Sequence, residues 1–450
     1  MKRFLILIVL MLAGCGESTY TAKVEQQADS AKVIQHSETE VVFAQLSKAF
    51  IISEQEGKLL NNLKLITDQQ AETIIGAYET KFVTGPATDP IGLPLNGLSS
   101  ITNHQAETLG KVRYHPPKDI YFCTLYLNGL TSINEEQAKG LSKAESLELN
   151  GLTSITDEQA KNLSRVEDLY LNGLTSITDQ QAESLSKVED LNLNGLTSIS
   201  DQQAESLSRV EYLYLNGLTS ISDQQAESLS NRSFLELNGL RSISDQQSEI
   251  LSKVEYLYLN GLTSITDKQA EFLGKVHQFN LNGLTSITDE QAESLSKVEY
   301  LYLNGLTSIT DQQVKSLSKV EYLYLNGLTS ITDQQAESLN SGEGLDTNID
   351  QNSRYFLELN GLASISNQQA ENLSKIGSLV LNGLTSITDQ QAESLGKAGS
   401  LELKGLTSIT DTQAKSLRKI PLGLVISDAC YDVVSRYMKV GLTKASERKY

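Results

Sequence analysis

Few side chains in this sequence are spaced for catalysis. The four histidines follow no metal-binding interval, and none has a cysteine or carboxylate partner at a fixed offset. They are His36, His104, His115 and His277. Serine and aspartate are abundant as copied turn and cap residues, so a Ser/His/Asp arrangement would be accidental. Asp179 and Glu183 stand one helical turn apart, which favours a solvated acidic face over acid and base catalysis. We therefore predict no enzymatic activity and no cofactor.

One segment resembles the start of a calcium-binding loop. Asp346, Asn348 and Asp350 alternate side-chain oxygens in the manner of that motif. Gln351, however, occupies the position where the sharp turn needs glycine, and Leu357 stands where a bidentate glutamate should close the site. A plain polar loop is therefore favoured, and the three oxygen-bearing residues are only a weak candidate for a metal site.

The elements that must position these residues are copies of one unit. A clean copy runs from Leu169 to Asp190, and its glycine recurs at a constant step of 22 residues. The recurring glycines are Gly129, Gly151, Gly173, Gly195, Gly217, Gly239, Gly261, Gly283, Gly305 and Gly327. A fixed period of roughly 20 to 30 residues is the signature of a solenoid. Since one unit is too small to bury a core alone, stability must belong to the stacked array.

The first half of the unit predicts a strand. Leu169 and Leu171 alternate with Tyr170 and Asn172, which is the pattern of a strand buried on one face. The tyrosine and the asparagine should therefore point away from the core. Gly173 follows and would supply the backbone freedom for a turn.

The second half predicts a short helix. Thr178 precedes Gln181 by three positions, a capping box that satisfies free amides at a helix start. Ala182 and Leu185 then lie on one helical face and should contact the core. On this pattern Gln181 and Glu183 take the solvent side, and the helix spans about two turns.

This unit resembles a leucine-rich repeat, because Leu169, Leu171 and Ile177 fall where that family places buried aliphatic residues. The match is closest to the cysteine-containing subclass. Leu174 departs from the pattern, since it stands where the family has an inward Asn or Cys that bonds the turn backbone. The resemblance covers residues 58–421. It implies an α/β solenoid, a horseshoe with a parallel sheet on the concave face and short helices on the convex face, which offers a binding surface more than chemistry.

The outward strand positions carry columns of tyrosine. They include Tyr170, Tyr212, Tyr214, Tyr256, Tyr258, Tyr300, Tyr302, Tyr322 and Tyr324. Tyrosine combines a broad apolar face with a hydroxyl, which suits a surface that binds protein, peptide or glycan. The alternative is that the rings pair across neighbouring strands and were copied by duplication. Both interpretations stand at this stage.

A column of asparagines lies beside the tyrosines. Its members are Asn128, Asn150, Asn172, Asn194, Asn216, Asn238, Asn260, Asn282, Asn304, Asn326, Asn360 and Asn382, and Lys404 interrupts it. Because a binding site usually varies from unit to unit, this regularity favours a structural role.

Three insertions interrupt the period, near residues 78–90, 113–124 and 340–354. Each falls between a helix and the next strand, so all three should emerge on one edge of the array, where function is often carried. The predicted segments are a signal at 1–14, a flexible tether at 15–40, the repeat array at 41–421 with degenerate first copies, and a C-terminal cap and tail at 422–450. In the last segment, Ser427 should cap a helix and Lys444 should belong to a solvated tail.

The amino terminus resembles a bacterial lipoprotein signal. Lys2 and Arg3 precede an apolar run too short to span a bilayer, and small residues precede Cys15. This resemblance implies that Cys15 becomes the first mature residue and carries a lipid. Gly16 follows it instead of Asp, which by analogy favours the outer membrane of a Gram-negative host. We therefore expect a protein of the bacterial cell envelope, at the outer membrane or the cell surface, that contacts the membrane through its lipid anchor only.

The net charge of −19 argues against nucleic acid as a partner. Together these observations predict a non-enzymatic leucine-rich repeat lipoprotein that binds a protein or peptide, or a glycan, on its tyrosine face or its insertion edge. The alternative is a structural or adhesive spacer without a dedicated ligand, which the near identity of the repeats favours.

Overall fold

One parallel sheet runs through the computed structural model, which describes residues 54–81, 92–112, 124–341, 356–438 and 440–447. Within these residues every strand pairs with its neighbours in sequence, so the order has no crossover. The strands are β1 Leu93–Pro94, β2 Thr124–Tyr126, β3 Ser146–Glu148, β4 Asp168–Tyr170, β5 Asp190–Asn192, β6 Tyr212–Tyr214, β7 Phe234–Glu236, β8 Tyr256–Tyr258, β9 Gln278–Asn280, β10 Tyr300–Tyr302, β11 Tyr322–Tyr324, β12 Phe356–Glu358, β13 Ser378–Val380, β14 Ser400–Leu403, β15 Gly423–Ile426 and β16 Leu442–Lys444.

Two helices precede the first strand, and from there helices alternate with the strands. From α2 to α17 each helix packs on the helices of the adjacent repeats, whereas α1 packs on β1. They are α1 Glu54–Asn61, α2 Asp68–Lys81, α3 Asn103–Leu109, α4 Glu135–Leu141, α5 Asp157–Leu163, α6 Asp179–Leu185, α7 Asp201–Leu207, α8 Asp223–Leu229, α9 Asp245–Leu251, α10 Asp267–Leu273, α11 Asp289–Leu295, α12 Asp311–Leu317, α13 Asp333–Ser341, α14 Asn367–Leu373, α15 Asp389–Leu395, α16 Asp411–Leu417 and α17 Asp428–Val434. A 3-10 turn, Ala445–Glu447, follows the last strand.

A continuous apolar core lies between the sheet and the helices. Leu169, Leu171 and Leu174 are 0% exposed, and their equivalents in neighbouring repeats join them in one cluster. Leu174 also closes the turn, because its N–H donates to the carbonyl of Leu171 at 3.1 Å. The chain is therefore an α/β solenoid with the leucine-rich repeat fold. The predicted horseshoe, with the sheet on the concave face and the helices on the convex face, is confirmed.

The helix starts contain the predicted capping box, but the glutamine is not on the solvent side. Thr178 accepts from the N–H of Gln181, and the Gln181 side chain accepts from the N–H of Thr178 at 2.9 Å. The same side chain donates to the carbonyl of Ile155 in the preceding repeat at 2.8 Å. Gln181 is only 7% exposed, so the prediction that it takes the solvent side was wrong. The helical period missed this bond because its acceptor lies in another repeat.

The turn after each strand is packed against its neighbour, and this explains the recurring glycine. A Cβ on Gly173 would lie 2.3 Å from the carbonyl oxygen of Asn150 and 2.4 Å from that of Leu152. Among the described glycines only Gly441 has a positive φ, so the expected need for backbone freedom at Gly173 was wrong. Close approach between repeats makes the glycine necessary.

The asparagine column joins these turns by hydrogen bonds, in agreement with its predicted structural role. The N–H of Asn194 donates to Oδ1 of Asn172 at 2.9 Å, and the same bond recurs along the array at 2.8–3.2 Å. It crosses all three insertions, because Asn96 donates to Asn61, Asn128 to Asn96 and Asn360 to Asn326. The stacking of the turns therefore continues past each insertion.

The two ends of the array differ from the unit. At the first end the residues equivalent to a strand lie in α1, and Asn61 still accepts from the N–H of Asn96. At the other end Ser427 donates to the carbonyl of Leu406 and makes no side-chain cap bond to α17, so its predicted role was wrong. Lys444 is not in a tail either. It pairs with Ile426 in β16, and its ammonium lies 4.8 Å from the Tyr431 ring centroid.

Several predicted features lie outside the described residues. They are Cys15, the signal, the tether, most of the three insertions, and the weak calcium candidate Asp346, Asn348 and Asp350. Asn340 and Ser341 of the last insertion extend α13, and residues 78–81 of the first extend α2. Among the described helices none is both long and apolar enough to cross a bilayer.

Candidate binding surface

The exposed face of the sheet is built from two columns of side chains. We define the outer column as the first residue of each strand and the inner column as the third, because the residue between them is buried. From β2 to β14 the outer column is Thr124, Ser146, Asp168, Asp190, Tyr212, Phe234, Tyr256, Gln278, Tyr300, Tyr322, Phe356, Ser378 and Ser400. The inner column is Tyr126, Glu148, Tyr170, Asn192, Tyr214, Glu236, Tyr258, Asn280, Tyr302, Tyr324, Glu358, Val380 and Glu402. All nine tyrosines named from the sequence lie in these two columns.

An aromatic patch occupies the face from β6 to β12. Tyr300 stacks on Tyr322 with centroids 4.0 Å apart, because parallel strands place the two in register. Phe234 lies 5.0 Å from Tyr214 and 5.1 Å from Tyr258, so it bridges two inner tyrosines. The rings therefore do pair across strands, as the second interpretation required, but they also remain accessible.

Exposure of the patch varies along its length. Tyr212 is 38% exposed, the largest value among the described tyrosines. The hydroxyl of Tyr258 accepts from the side-chain amide of Gln278 at 2.7 Å. Burial raises the pKa of the Tyr258 hydroxyl to about 12, and it raises the pKa values of Tyr170 and Tyr214 as well. These hydroxyls are therefore neutral hydrogen-bonding groups at physiological pH.

His277 was not recognised as part of this surface from the sequence. It precedes β9, and its ring lies 5.8 Å from that of Tyr256 and 5.4 Å from that of Tyr300. Its Nδ1 lies 3.1 Å from a carboxylate oxygen of Glu299. The signal was present, since His277 occupies the repeat position that Glu255 and Glu299 occupy in neighbouring units.

An acidic patch lies next to the aromatic one and was also missed. Asp168 on β4 and Asp190 on β5 are register partners, so their carboxyls are adjacent. Burial, followed by the charges of neighbouring carboxylates, raises the pKa of Asp168 to about 6 and that of Asp190 to about 7. The Tyr214 hydroxyl lowers the pKa of Asp190 in part. The signal was present, since the two aspartates stand one period of 22 residues apart at the same strand position.

Glu236 and Glu358 of the inner column accept hydrogen bonds, in contrast to two inner asparagines. The side-chain amide of Asn216 donates to Glu236 at 2.7 Å, and that of Asn326 donates to Glu358 at 2.9 Å. Oδ1 of Asn192 and Oδ1 of Asn280, however, are buried without a hydrogen-bond partner. Such orphaned acceptors are rare in folded proteins and mark positions where a donor would be favourable.

Across the part of the chain that the structure describes, no three His, Cys, Asp or Glu side chains are grouped to hold a metal ion. His104 contacts Glu72 at 3.3 Å on the helical side, away from the His277 ring cluster on the sheet. Cys430 is a buried free thiol near the end of the array.

Comparisons with known proteins give matches among solved structures only. No family model matches the chain, and no curated protein matches it. Among solved structures it is similar to an internalin of Listeria monocytogenes, with 18% identity, 85% of this chain and 92% of that chain covered, and a TM-score of 0.37. The functional domain of InlJ from Listeria monocytogenes is 14% identical over 68% of this chain and 57% of that chain, with a TM-score of 0.31. The yeast complex of Rad7 and Elc1 is 15% identical over 96% and 98%, with a TM-score of 0.37.

These superpositions are loose. The assignment of the fold therefore rests on the continuous parallel register and the repeated leucine core described above.

Proposed function

We propose that this chain is a non-enzymatic binding protein of a bacterial cell envelope, held there by a lipid on Cys15. Its ligand is a protein or peptide that lies along the aromatic patch of the concave sheet face. The proposal combines the amino-terminal signal resemblance with the surface formed by the outer and inner columns.

The binding role is supported by a contrast between the asparagine column, which is constant, and the outer column of the sheet, which varies. From Asn128 to Asn382 the asparagine column is unchanged, because every copy makes the same bond to its neighbour. The outer column instead passes from small hydroxyls through carboxylates to aromatics and back to serines. A spacer made only by duplication would copy both equally, whereas a binding face differs from unit to unit. Exposed tyrosines are also among the residues most enriched at protein interfaces.

The envelope location is supported by residues 1–16 of the sequence. A basic start, a short apolar run and small residues before Cys15 make the complete lipoprotein pattern. Labelling cells that express the full chain with a fatty-acid analogue tests it. Incorporation that disappears in Cys15→Ala supports the anchor, and label retained by that variant, or absent from both proteins, contradicts it.

A rival function is that of a spacer, which the stacked pairs favour because stacking stabilises the array without a ligand. Tyr300 with Tyr322 and Tyr302 with Tyr324 are such pairs. The experiment that separates the two uses the full chain displayed on cells and treated with a cross-linker. Tyr212→Ser with Tyr256→Ser alters the face, and Phe272→Ser removes an aromatic ring from the convex side as the matched control.

A partner cross-linked by the native protein and by Phe272→Ser, but not by the double variant, supports binding on the face. Melting temperatures of all three proteins show whether the fold is kept. A partner retained by the double variant, or no partner under any condition, favours the spacer.

A further inference from the structure

The acidic patch on β4 and β5 has no cationic neighbour in the described part of the chain. Asp168 and Asp190 take part in none of the ion pairs there, and no lysine or arginine is among the groups that shift their pKa values. Oδ1 of Asp190 is buried and makes no hydrogen bond within the described residues. Two adjacent carboxyls in this condition repel each other when both ionise, so a bound cation would relieve the repulsion.

A second observation points to a hydrogen-bond donor at the same place. Asn192 lies beside Asp190 on the same face of β5 and is 9% exposed, and its Oδ1 has no partner. Its register partners are Tyr170 on one side and Tyr214 on the other. The asparagine is shorter than both rings, so the two tyrosines flank it, and its side chain is covered. An amide oxygen buried there is favourable only when a donor reaches it.

The equivalent position four repeats later, at Asn280, lacks the neighbouring charge. Asn280 is also orphaned and lies between Tyr258 and Tyr302, but its outer-column neighbour is Gln278, which donates to Tyr258. Only the place next to Asn192 therefore combines an orphaned acceptor, flanking rings and carboxyls among the described strands.

We propose that Asp168, Asp190 and Asn192 receive the ammonium or guanidinium group of a lysine or arginine side chain from an extended segment of a partner protein. The aliphatic stem of that side chain packs against Tyr170 and Tyr214. This inference rests on the proposed binding function and names the chemistry of the ligand at one end of the face.

Charge and geometry favour a basic peptide over a neutral sugar. Glu145, Glu167, Glu189 and Glu211 stand in a row beside the outer column, and the last three are exposed. A row of carboxylates attracts a basic chain and slows its escape, whereas it adds little for an uncharged glycan. The rings add cation–π attraction for a positive group seated over them.

The test measures binding of defined probes to the full chain in detergent by fluorescence anisotropy. The probes are a short peptide that alternates lysine with threonine, its glutamate counterpart, and a chito-oligosaccharide. Asp168→Asn with Asp190→Asn removes the charge pair with little change in shape. Glu205→Gln with Glu249→Gln makes the same change in net charge on the exposed convex helices α7 and α9.

A third variant, Asn192→Tyr, keeps both carboxyls and replaces the amide acceptor between Tyr170 and Tyr214 by a ring. We expect the lysine peptide to bind and the other two probes not to bind. Its Kd should rise about tenfold in Asp168→Asn with Asp190→Asn and in Asn192→Tyr, and should change by less than about twofold in the convex control.

If the convex control weakens binding of the lysine peptide equally, the proposed site is wrong, and the net negative charge of the protein accounts for the binding. Unchanged binding in Asn192→Tyr, or preference for the sugar, would overturn it as well. Melting temperatures exclude misfolding, and Asn192→Tyr covers the case in which the aspartate variant fails to fold. If the Tyr212 and Tyr256 variant loses a cross-linked partner while the aspartate variant binds the lysine peptide as the native protein does, the proposed function stands and this inference fails.

Discussion

The rings of Tyr302 and Tyr324 stack with centroids 3.9 Å apart and planes inclined by 10°. They are register partners on β10 and β11, separated by one repeat. The tyrosine columns therefore partly support themselves, because each ring in this pair buries one face against the other, and Tyr324 also lies 5.0 Å from the ring of Phe356.

Removing either ring of this pair should cost stability, and removing both should cost less than the sum. Aromatic pairs contribute about 0.5–1.5 kcal/mol beyond burial, so the coupling between Tyr302→Ser and Tyr324→Ser should have that size. Urea unfolding of the two single variants and the double variant measures it. Strict additivity would mean that the stacking has no energetic role.

Gly173 should not tolerate alanine. The new Cβ would meet the backbone oxygens of Asn150 and Leu152, which belong to the neighbouring turn and cannot move alone. We expect Gly173→Ala to lower stability by about 2 kcal/mol or more. Gly76→Ala is the control, because nothing lies within 4 Å of its added Cβ in helix α2. It should be neutral or stabilising by about 0.5–1 kcal/mol, and a similar loss at both sites would contradict the packing argument.

Arg232 replaces the valine that most repeats place at this core position, as at Val188 and Val210. Its guanidinium donates to the carbonyls of Leu229, Val210 and Leu207 at 2.8, 3.3 and 3.1 Å. Burial lowers the pKa of Arg232 to about 10, so the group remains charged at neutral pH and is costly to bury.

Arg232→Val should therefore raise the free energy of unfolding by about 1–2 kcal/mol, detected as a higher melting temperature. Arg241→Thr also restores the residue of other repeats, but at an exposed position, and should have no effect. A fall in melting temperature for Arg232→Val would show that the three carbonyl bonds outweigh the desolvation of the charge.

The free energy of unfolding should fall as rising pH ionises Asp168 and Asp190 in the acidic patch. Asp190 has its folded pKa raised to about 7, by burial first and then by Asp168, Glu189 and Glu236, while Tyr214 opposes the shift. Asp168 faces Glu167, Glu189, Glu145 and Ser146 and is raised to about 6. Between about pH 4 and pH 7 the folded state holds a proton that the unfolded state has released, so the free energy of unfolding declines over this window.

Asp190→Asn should flatten this decline and raise the free energy of unfolding at pH 8 by on the order of 1 kcal/mol after screening by solvent, which is detected as a higher melting temperature. Thermal melts from pH 4 to pH 8 measure the difference from the native protein. Glu205→Gln, an exposed convex substitution, is the control. A native curve that instead rises with pH, with the same slope in Asp190→Asn, would contradict the raised pKa.

Local features of the unit were predictable because they depend on neighbours in sequence. Leu169 and Leu171 alternate with outward residues, and Thr178 precedes Gln181 by the capping interval, so strand, helix start and period all follow. The tyrosine face follows from the same alternation. Whether those tyrosines bind a ligand stays a prediction, as do the lipid on Cys15 and the envelope location.

Tertiary structure alone decided the contacts between repeats. Gln181 is buried because its donor reaches Ile155, and the glycine is needed because the turn of Asn150 approaches its Cα. The adjacency of Asp168 and Asp190 likewise exists only after stacking. These contacts join atoms a full repeat apart, so they depend on the register between strands and on the loss of water between turns. The periodicity of a single unit encodes which side chains are apolar, but not the polar atoms that stacking will remove from water and thereby force to find partners.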